Sequence, residues 1–308
     1  MSDLLQSTHF VVVTYNGERF IEKCIKAIRH ESPGSPIHVI DNGSSDMTLD
    51  ILNTLKVSVH RTEKNLGFGR ANNLGISKAL KDGADFVFLI NQDAYIQKGS
   101  LKTFLSKPES RLTCLHAFMQ LNGEGSRLDG KFKSHYLSEE YCPGYQDDLY
   151  FNRMKSSYET RFANAAAWII PRGVLTTIGG FNPSFFHYGE DDNYVNRLHF
   201  HGKKLLLHPD CVVFHDREGR PPSHYFEDAN AKKRLFLLRI SSPSNKLTVN
   251  DIQSNLKITL LKKRLRGSKK AVCIEHLQLE FLKYNSLSSI VSNRDLSAIQ
   301  GPSFLSID

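Results

Sequence analysis

Long hydrophobic runs are missing from this 308-residue chain. None reaches the roughly 18 to 20 residues that a membrane-crossing helix needs, and no basic stretch followed by an apolar signal core opens the sequence. A chain that neither spans a membrane nor is exported is therefore expected. Cysteine is scarce as well. The five present, Cys24, Cys114, Cys142, Cys211 and Cys273, form no CxxC pair and no repeated spacing. That argues against a zinc or disulfide framework and predicts reduced, structural thiols in a cytoplasmic setting. No GxGxxG follows the first apolar run, which disfavours a dinucleotide-dependent dehydrogenase. The segment there, Thr14-Tyr15-Asn16-Gly17-Glu18, also lacks the glycine-rich basic loop with which a nucleotidyltransferase would grip pyrophosphate.

What is present is an ordinary core and an uneven charge. The hydrophobic content of 40% is enough for a soluble fold without covalent staples. The formal net charge of +8 permits anionic partners without choosing among them. Lys257, Lys262, Lys263, Arg264, Arg266, Lys269 and Lys270 crowd one stretch, interleaved with Leu256, Ile258, Leu260, Leu261 and Leu265. Two readings stay open: a helix lying on an anionic membrane surface, or the solvated face of a helix packed on its own domain. Nucleic acid is not an expected partner, because no recognition motif accompanies the charge.

Apolar runs alternate with amphipathic stretches over the first hundred residues, the pattern of β-α-β units. Strands are expected at 9–14, 37–41, 57–61 and 85–90, with helices at 19–30, 46–55 (capped by Ser44 or Ser45) and 69–81. Thr14-Tyr15-Asn16, Asp41 and Asp93 then fall on one rim, outside the carboxyl ends of the strands, where open α/β sheets gather ligands. Residues 111–158 loosen into short apolar pieces around Gly123, Gly125, Gly130 and Pro143, and read as loops and short strands carrying specificity. A strand at 162–170, a helix at 190–201 with an acidic first turn, and short strands at 204–207 and 211–215 follow. After Pro221-Pro222 the composition turns helical and basic. The expected organisation is a catalytic region over 1–222 and a helical region over 223–308, the latter a candidate for membrane-surface or homo-oligomer contact.

Two acidic features carry chemistry. Asp93 stands just past the apolar run Phe86–Ile90, where a carboxylate can hold a divalent cation against a diphosphate. Glu190-Asp191-Asp192 crowds three carboxylates, which raises at least one toward the range of a general base; the plain alternative is complementarity to a helix dipole.

Six segments in order resemble family 2 inverting nucleotide-sugar glycosyltransferases of the GT-A fold, an α/β architecture. They are Val11-Val12-Val13-Thr14-Tyr15-Asn16, Ile40-Asp41-Asn42-Gly43-Ser44-Ser45-Asp46, Asn65-Leu66-Gly67-Phe68-Gly69-Arg70-Ala71-Asn72-Asn73-Leu74-Gly75, Asn91-Gln92-Asp93, Gly179-Gly180-Phe181-Asn182 and Gly189-Glu190-Asp191-Asp192 leading to Arg197. The resemblance covers roughly residues 8–220 and lies nearest to rhamnosyltransferase-like enzymes of bacterial surface polysaccharide assembly.

The resemblance implies a UDP- or dTDP-sugar donor, a glycan or lipid-linked glycan acceptor, and Mg²⁺ or Mn²⁺, at the cytoplasmic face of a membrane. Thr14, Tyr15, Asn16, Asp41, Asn65, Gly67, Arg70, Asn91, Gln92 and Asp93 would line the nucleotide-sugar site. Asp41 would meet the base; its alternative is a turn or cap role. Asp93 and His215 would hold the metal, and Asn91 replaces the acidic residue usual two positions before Asp93. Asp191 would be the base, beside Glu190 and with Asp192 as its rival. Trp168 and Arg197 are acceptor-side candidates, with core packing and a helix salt bridge as their alternatives. Asn91 and Asn193, where relatives often carry acids, keep open a catalytically impaired, scaffold-like relative.

Overall fold

The computed structural model describes residue 5 and residues 7–218, 228–265 and 287–307. One nine-stranded sheet organises it: β1 (Thr8–Thr14), β2 (Ile37–Asp41), β3 (Val59–Arg61), β4 (Phe86–Ile90), β5 (Ala94–Ile96), β6 (Leu115–Asn122), β7 (Tyr158–Glu159), β8 (Ala167–Pro171) and β9 (Leu205–His215). The order is β3-β2-β1-β4-β8-β6-β9-β5, with β7 also paired to β9. Phe10, Val11 and Val12 are all fully buried, as expected of a central strand covered on both faces.

One face is covered by α1 (Ile21–Glu31), α2 (Thr48–Thr54) and α4 (Ser100–Ser106), the other by α3 (Phe68–Lys81), α6 (Arg172–Ile178) and α7 (Glu190–Phe200). Two apolar clusters result, one holding Val12, Ile25 and Phe104, the other Val11, Trp168 and Leu198. α5 (Tyr145–Tyr150) lies in the connection between β6 and β8. Parallel pairing aligns Thr14 with Asp41 and Asn122 with His215, and antiparallel pairing sets Ala94 against His215 and Ile90 against Ala167. Residues 14–17, 41–46, 91–93, 122, 163–166 and 215–217 therefore share one rim.

Three expectations need correction. The stretch 111–158 holds more than loops and short strands: it contains the eight-residue β6, central in the sheet, whose apolar signal is interrupted by the buried polar residues His116, Gln120 and Asn122. The two short strands expected at 204–215 are one strand, β9, with a register shift opposite Phe118 and Met119 that accommodates Pro209. The second helix starts at Thr48, and Asp46, not Ser44 or Ser45, accepts the Thr48 N–H at 3.1 Å.

Beyond residue 227 run α8 (Asp228–Ser241), α9 (Val249–Leu265) and α10 (Leu287–Ser297). Phe236, Ile240, Ile252, Leu256 and Ile290 form a third cluster that takes in Phe185 from the catalytic region. The last residues return to the main fold: Gly180 N–H donates to the Ser303 carbonyl at 2.8 Å, and Leu305 and Ile307 pack on the core. The expected boundary at Pro221-Pro222, together with Arg266, Lys269, Lys270 and Cys273, lies outside the described residues. No helix among the described residues is long and apolar enough to cross a membrane.

Candidate active site

The turn from β4 into β5 and the end of β9 place Asp93 and His215 side by side. Asp216 N–H donates to the Asp93 carbonyl at 2.8 Å. His215 Nε2 then lies 3.7 Å from Asp93 Oδ2, with both side chains almost wholly buried. Gln120 on β6 directs its Oε1 to His215 Nδ1 at 3.0 Å, while its Nε2 donates to Asn164 Oδ1 at 2.7 Å. With the amide oriented in this way, Nδ1 carries the imidazole proton and Nε2 faces the carboxylate.

A carboxylate oxygen and an imidazole nitrogen turned toward one point suit a divalent cation. Among the described residues no three His, Cys, Asp or Glu side chains gather for one ion. A metal here would need the rest of its shell from substrate and water.

Across the rim, α7 starts after Gly189, whose φ of +98° is in the left-handed region. Glu190 is buried and its Oε2 has no hydrogen-bond partner among the described residues. Burial first, then the Asp191 charge, pushes its carboxyl above the usual range. Asp191 keeps one edge toward solvent. Burial and the Asp192 charge raise it as well, against hydrogen bonds from the N–H groups of Asp192 (2.9 Å) and Ala165. Asp192 is exposed; burial of its surroundings raises it, and the Arg234 guanidinium from α8 opposes that rise. Asp191 and Asp192 thus both combine an upward shift with access to solvent, whereas Glu190 is buried.

The loops at the ends of β1, β2 and β4 hold one another. Gln92 Oε1 accepts from Thr14 Oγ1 at 2.6 Å and from Tyr15 N–H at 3.0 Å. Asn16, at φ +46°, donates its N–H to Ser44 Oγ and accepts from Ser45 N–H, both at 2.9 Å. Asn42 Nδ2 donates to Asn65 Oδ1 at 2.9 Å, and Asn65 Oδ1 also accepts from Gly67 N–H at 2.8 Å. Gly67 has φ +84°, and a Cβ there would overlap the Phe186 carbonyl, so only glycine lets the two loops meet. Tyr15 is left half-exposed on this rim.

The sequence profile of glycosyl transferase family 2 matches residues 9–164, half of the chain. The chain belongs to glycosyl transferase family 2. It is 21% identical over 214 residues to the dTDP-rhamnosyl transferase RfbF of Shigella flexneri, covering 67% of each chain. Its fold is similar to that of GalNAc-T7, solved with UDP, GalNAc and Mn²⁺ (TM-score 0.58, 15% identity, 90% of this chain and 54% of that one). It is also similar to residues 1–349 of S. aureus TarS, solved with UDP (TM-score 0.51, 15% identity, 94% and 90%). The chain spans about half the length of the GalNAc-T7 chain. The family and the nine-stranded sheet together make this a GT-A glycosyltransferase.

Several residues of this glycosyltransferase lie elsewhere than expected. Trp168 is fully buried, stacks on Phe181 at 6.1 Å and donates Nε1–H to the Ala163 carbonyl at 3.1 Å, so its ring is closed to an acceptor. Arg197 is also fully buried; it donates to the carbonyls of Gly180 (2.6 Å) and Ile178 and packs over the rings of Tyr194 and Phe304. It ties α7 to α6 and neither orients the carboxylates nor lines an acceptor surface.

Arg70 forks onto the Pro183 carbonyl at 2.7 and 3.1 Å, joining α3 to the loop before α7. Asp41 is fully buried: Ser44 N–H approaches both of its oxygens at 3.3 Å and Arg61 lies 3.6 Å away, so it shapes its turn. Asn193 is buried against α8, its Nδ2 donating to the Ser241 carbonyl at 3.3 Å.

Sequence reasoning gave no role to Gln120, Asn42 and Tyr136. Tyr136 packs edge-on against Phe162 at 5.1 Å; burial first and the Asp191 charge next raise its hydroxyl, which puts the ring beside the acidic cluster. Only the Asn42-bearing segment carried a signal, within a motif whose Asp drew the attention.

Proposed function

We propose that this glycosyltransferase moves a sugar from a UDP- or dTDP-sugar to a hydroxyl of a glycan acceptor, with inversion at the anomeric carbon. The observation that supports this most is that one rim carries both the Asp93–His215 pair and Ala165, whose N–H donates to the raised carboxyl of Asp191 at the start of α7.

Asp93 and His215 would hold Mg²⁺ or Mn²⁺, a Lewis acid that offsets charge growing on the departing diphosphate. The ion in the GalNAc-T7 structure is Mn²⁺, which fits a site with one imidazole and one carboxylate. Gln120 fixes the imidazole so that Nε2 is presented to the site. Asp191 accepts the proton of the acceptor hydroxyl as that oxygen attacks the anomeric carbon; the bond to the diphosphate breaks on the opposite face. Glu190, kept largely protonated by burial, does not compete for that proton. Tyr15 and the loops held by Asn16, Asn42 and Asn65 form the nucleotide wall, with Asp41 acting through its turn.

The acceptor is read as lipid-linked. α9 buries Ile252 and Leu256 on one side and exposes Ile258, Leu261 and Leu265 on another, flanked by exposed Lys257 and Lys262. Such a face favours a peripheral contact with an anionic membrane.

Thermal unfolding with a panel of nucleotide sugars, with and without Mn²⁺, tests the donor reading, because a ligand that binds only the folded state raises the melting temperature. A UDP- or dTDP-sugar should raise it more when Mn²⁺ is present. Equal stabilisation by purine sugar nucleotides, or none by any, would refute the reading.

A further inference from the structure

The loop that leads from Asn182 into α7 is pinned along its length. Arg70 on α3 holds the Pro183 carbonyl, Ser184 N–H donates to Asn182 Oδ1 at 2.9 Å, and Asn293 Nδ2 on α10 donates to Ser184 Oγ at 3.0 Å. Phe185 is buried in the third apolar cluster. Tyr188 and Gly189 then take φ of +63° and +98°. A tyrosine keeps the left-handed conformation only where its surroundings fix it.

Phe186 lies in the middle of this loop. The rings of His187 and Tyr188 pack on each other at 4.1 Å, whereas Phe186 keeps 58% of its surface exposed. Its position is set by α3. A Cβ on Gly67 would overlap the Phe186 carbonyl, and one on Gly69 would stand 3.5 Å from Cβ of Glu190. The first turn of α3 therefore touches Phe186 with one residue and the start of α7 with the next but one. Phe186 thus sits between the loop held by Asn42 and Asn65 and the helix turn that carries Asp191.

An apolar ring on a fixed loop stays hydrated until a ligand covers it, and the loop cannot rearrange to bury it. A pyranose offers a matching surface: C–H groups gather on one face while the hydroxyls project from the edge. The half-exposed Tyr15 is already placed for the pyrimidine, and Trp168 is closed to ligands. We propose that Phe186 is a sugar-binding residue of the active site, its ring stacking on the apolar face of a pyranose. The sugar of the donor and the terminal sugar of the acceptor share this chemistry. The proposal rests on the reading of Asp191 as the residue facing the acceptor hydroxyl.

Because its side chain is exposed, Phe186→Ala should keep the melting temperature of the parent. Two sets of binding measurements test it. Calorimetry with Mn²⁺ present compares UDP, dTDP, UDP-GlcNAc and dTDP-rhamnose. Saturation-transfer NMR on enzyme filled with UDP and Mn²⁺ compares the methyl pyranosides of glucose, rhamnose and N-acetylglucosamine. Phe186→Ala should weaken a sugar-bearing probe at least fivefold while UDP and dTDP stay within twofold of the parent. Phe186→Tyr, which keeps the ring face, should restore the affinity. A loss confined to the sugar nucleotides assigns the ring to the donor, and one confined to the glycosides assigns it to the acceptor. Binding of every sugar probe unchanged, or absent in both proteins, overturns the proposal. An equal loss of UDP affinity, or no recovery in Phe186→Tyr, overturns it as well. Asp191→Asn should keep these affinities while losing turnover; unimpaired turnover in that variant would contradict the base and leave the Phe186 result standing.

Discussion

Nε2 of His215 lies 3.7 Å from Oδ2 of Asp93, although His215 ends β9 and Asp93 stands far from it in the sequence, in the turn before β5. The antiparallel pairing of β5 with β9 makes them neighbours. As the proposed metal ligands they should fail together: Asp93→Ala and His215→Ala are each expected to remove the Mn²⁺-dependent part of UDP binding. Titration of UDP with and without Mn²⁺ checks this, and an unchanged metal dependence in both variants would refute the assignment.

Gln120 touches His215 through Nδ1. Gln120→Leu should lower Mn²⁺ affinity by about 10- to 100-fold, the usual range for a partner that orients a ligand. kcat at saturating metal should fall far less. Gln120→Glu, which keeps an acceptor for Nδ1–H, should restore most of the affinity.

Trp168 fills the core between Phe181 and Tyr194. Trp168→Ala should cost about 3–5 kcal/mol of stability, read from urea unfolding. Trp168→Phe, which keeps most of the ring contacts, should leave the acceptor KM near that of the parent. A large rise in acceptor KM with stability preserved would return the residue to the acceptor site.

His116 Nδ1 and His208 Nε2 meet at 3.1 Å in the core beside Phe104. Burial, aided by the charge of His208 for His116 and by that of Lys107 for His208, pushes both down to about 3. The folded state therefore binds fewer protons than the unfolded one below the ordinary value of 6.5. Stability is fully present above that value and declines as pH falls from 6.5 toward 3, by up to about 1.4 kcal/mol per pH unit for each ring. The double variant His116→Leu/His208→Leu should show a shallower decline in urea unfolding between pH 7 and pH 5; an unchanged slope would contradict the account.

Much of the nucleotide half was legible. Strands β1 and β4 are largely buried and so appear as apolar runs, β2 shows the shorter buried pair Val39-Ile40, and their ends deliver Thr14, Asp41 and Asp93 where the pattern places them. β6 was not legible, because His116 and Gln120 break its apolar run for reasons that exist only across the sheet: a ring partner on β9 for one, and His215 for the other. The three-residue β5 is too short to show a period, so the approach of His215 to Asp93 could not be read from the residues. Trp168 and Arg197 misled in the opposite way, since an amphipathic ring and a charged group suggest a surface. Here the chain satisfies them internally, with the Ala163 carbonyl for the indole and the Gly180 and Ile178 carbonyls for the guanidinium.

Asp191 carries the central claim, as the half-buried carboxylate of a raised cluster that accepts a hydrogen bond from Ala165 on the rim of the Asp93–His215 pair. The direct measurement is single-turnover sugar transfer by Asp191→Asn, with donor bound to saturation and its affinity measured separately. The account predicts donor affinity within a few-fold of the parent and transfer slowed by at least the 10²- to 10⁴-fold that a general base contributes. Transfer at the parental rate in that variant would contradict it.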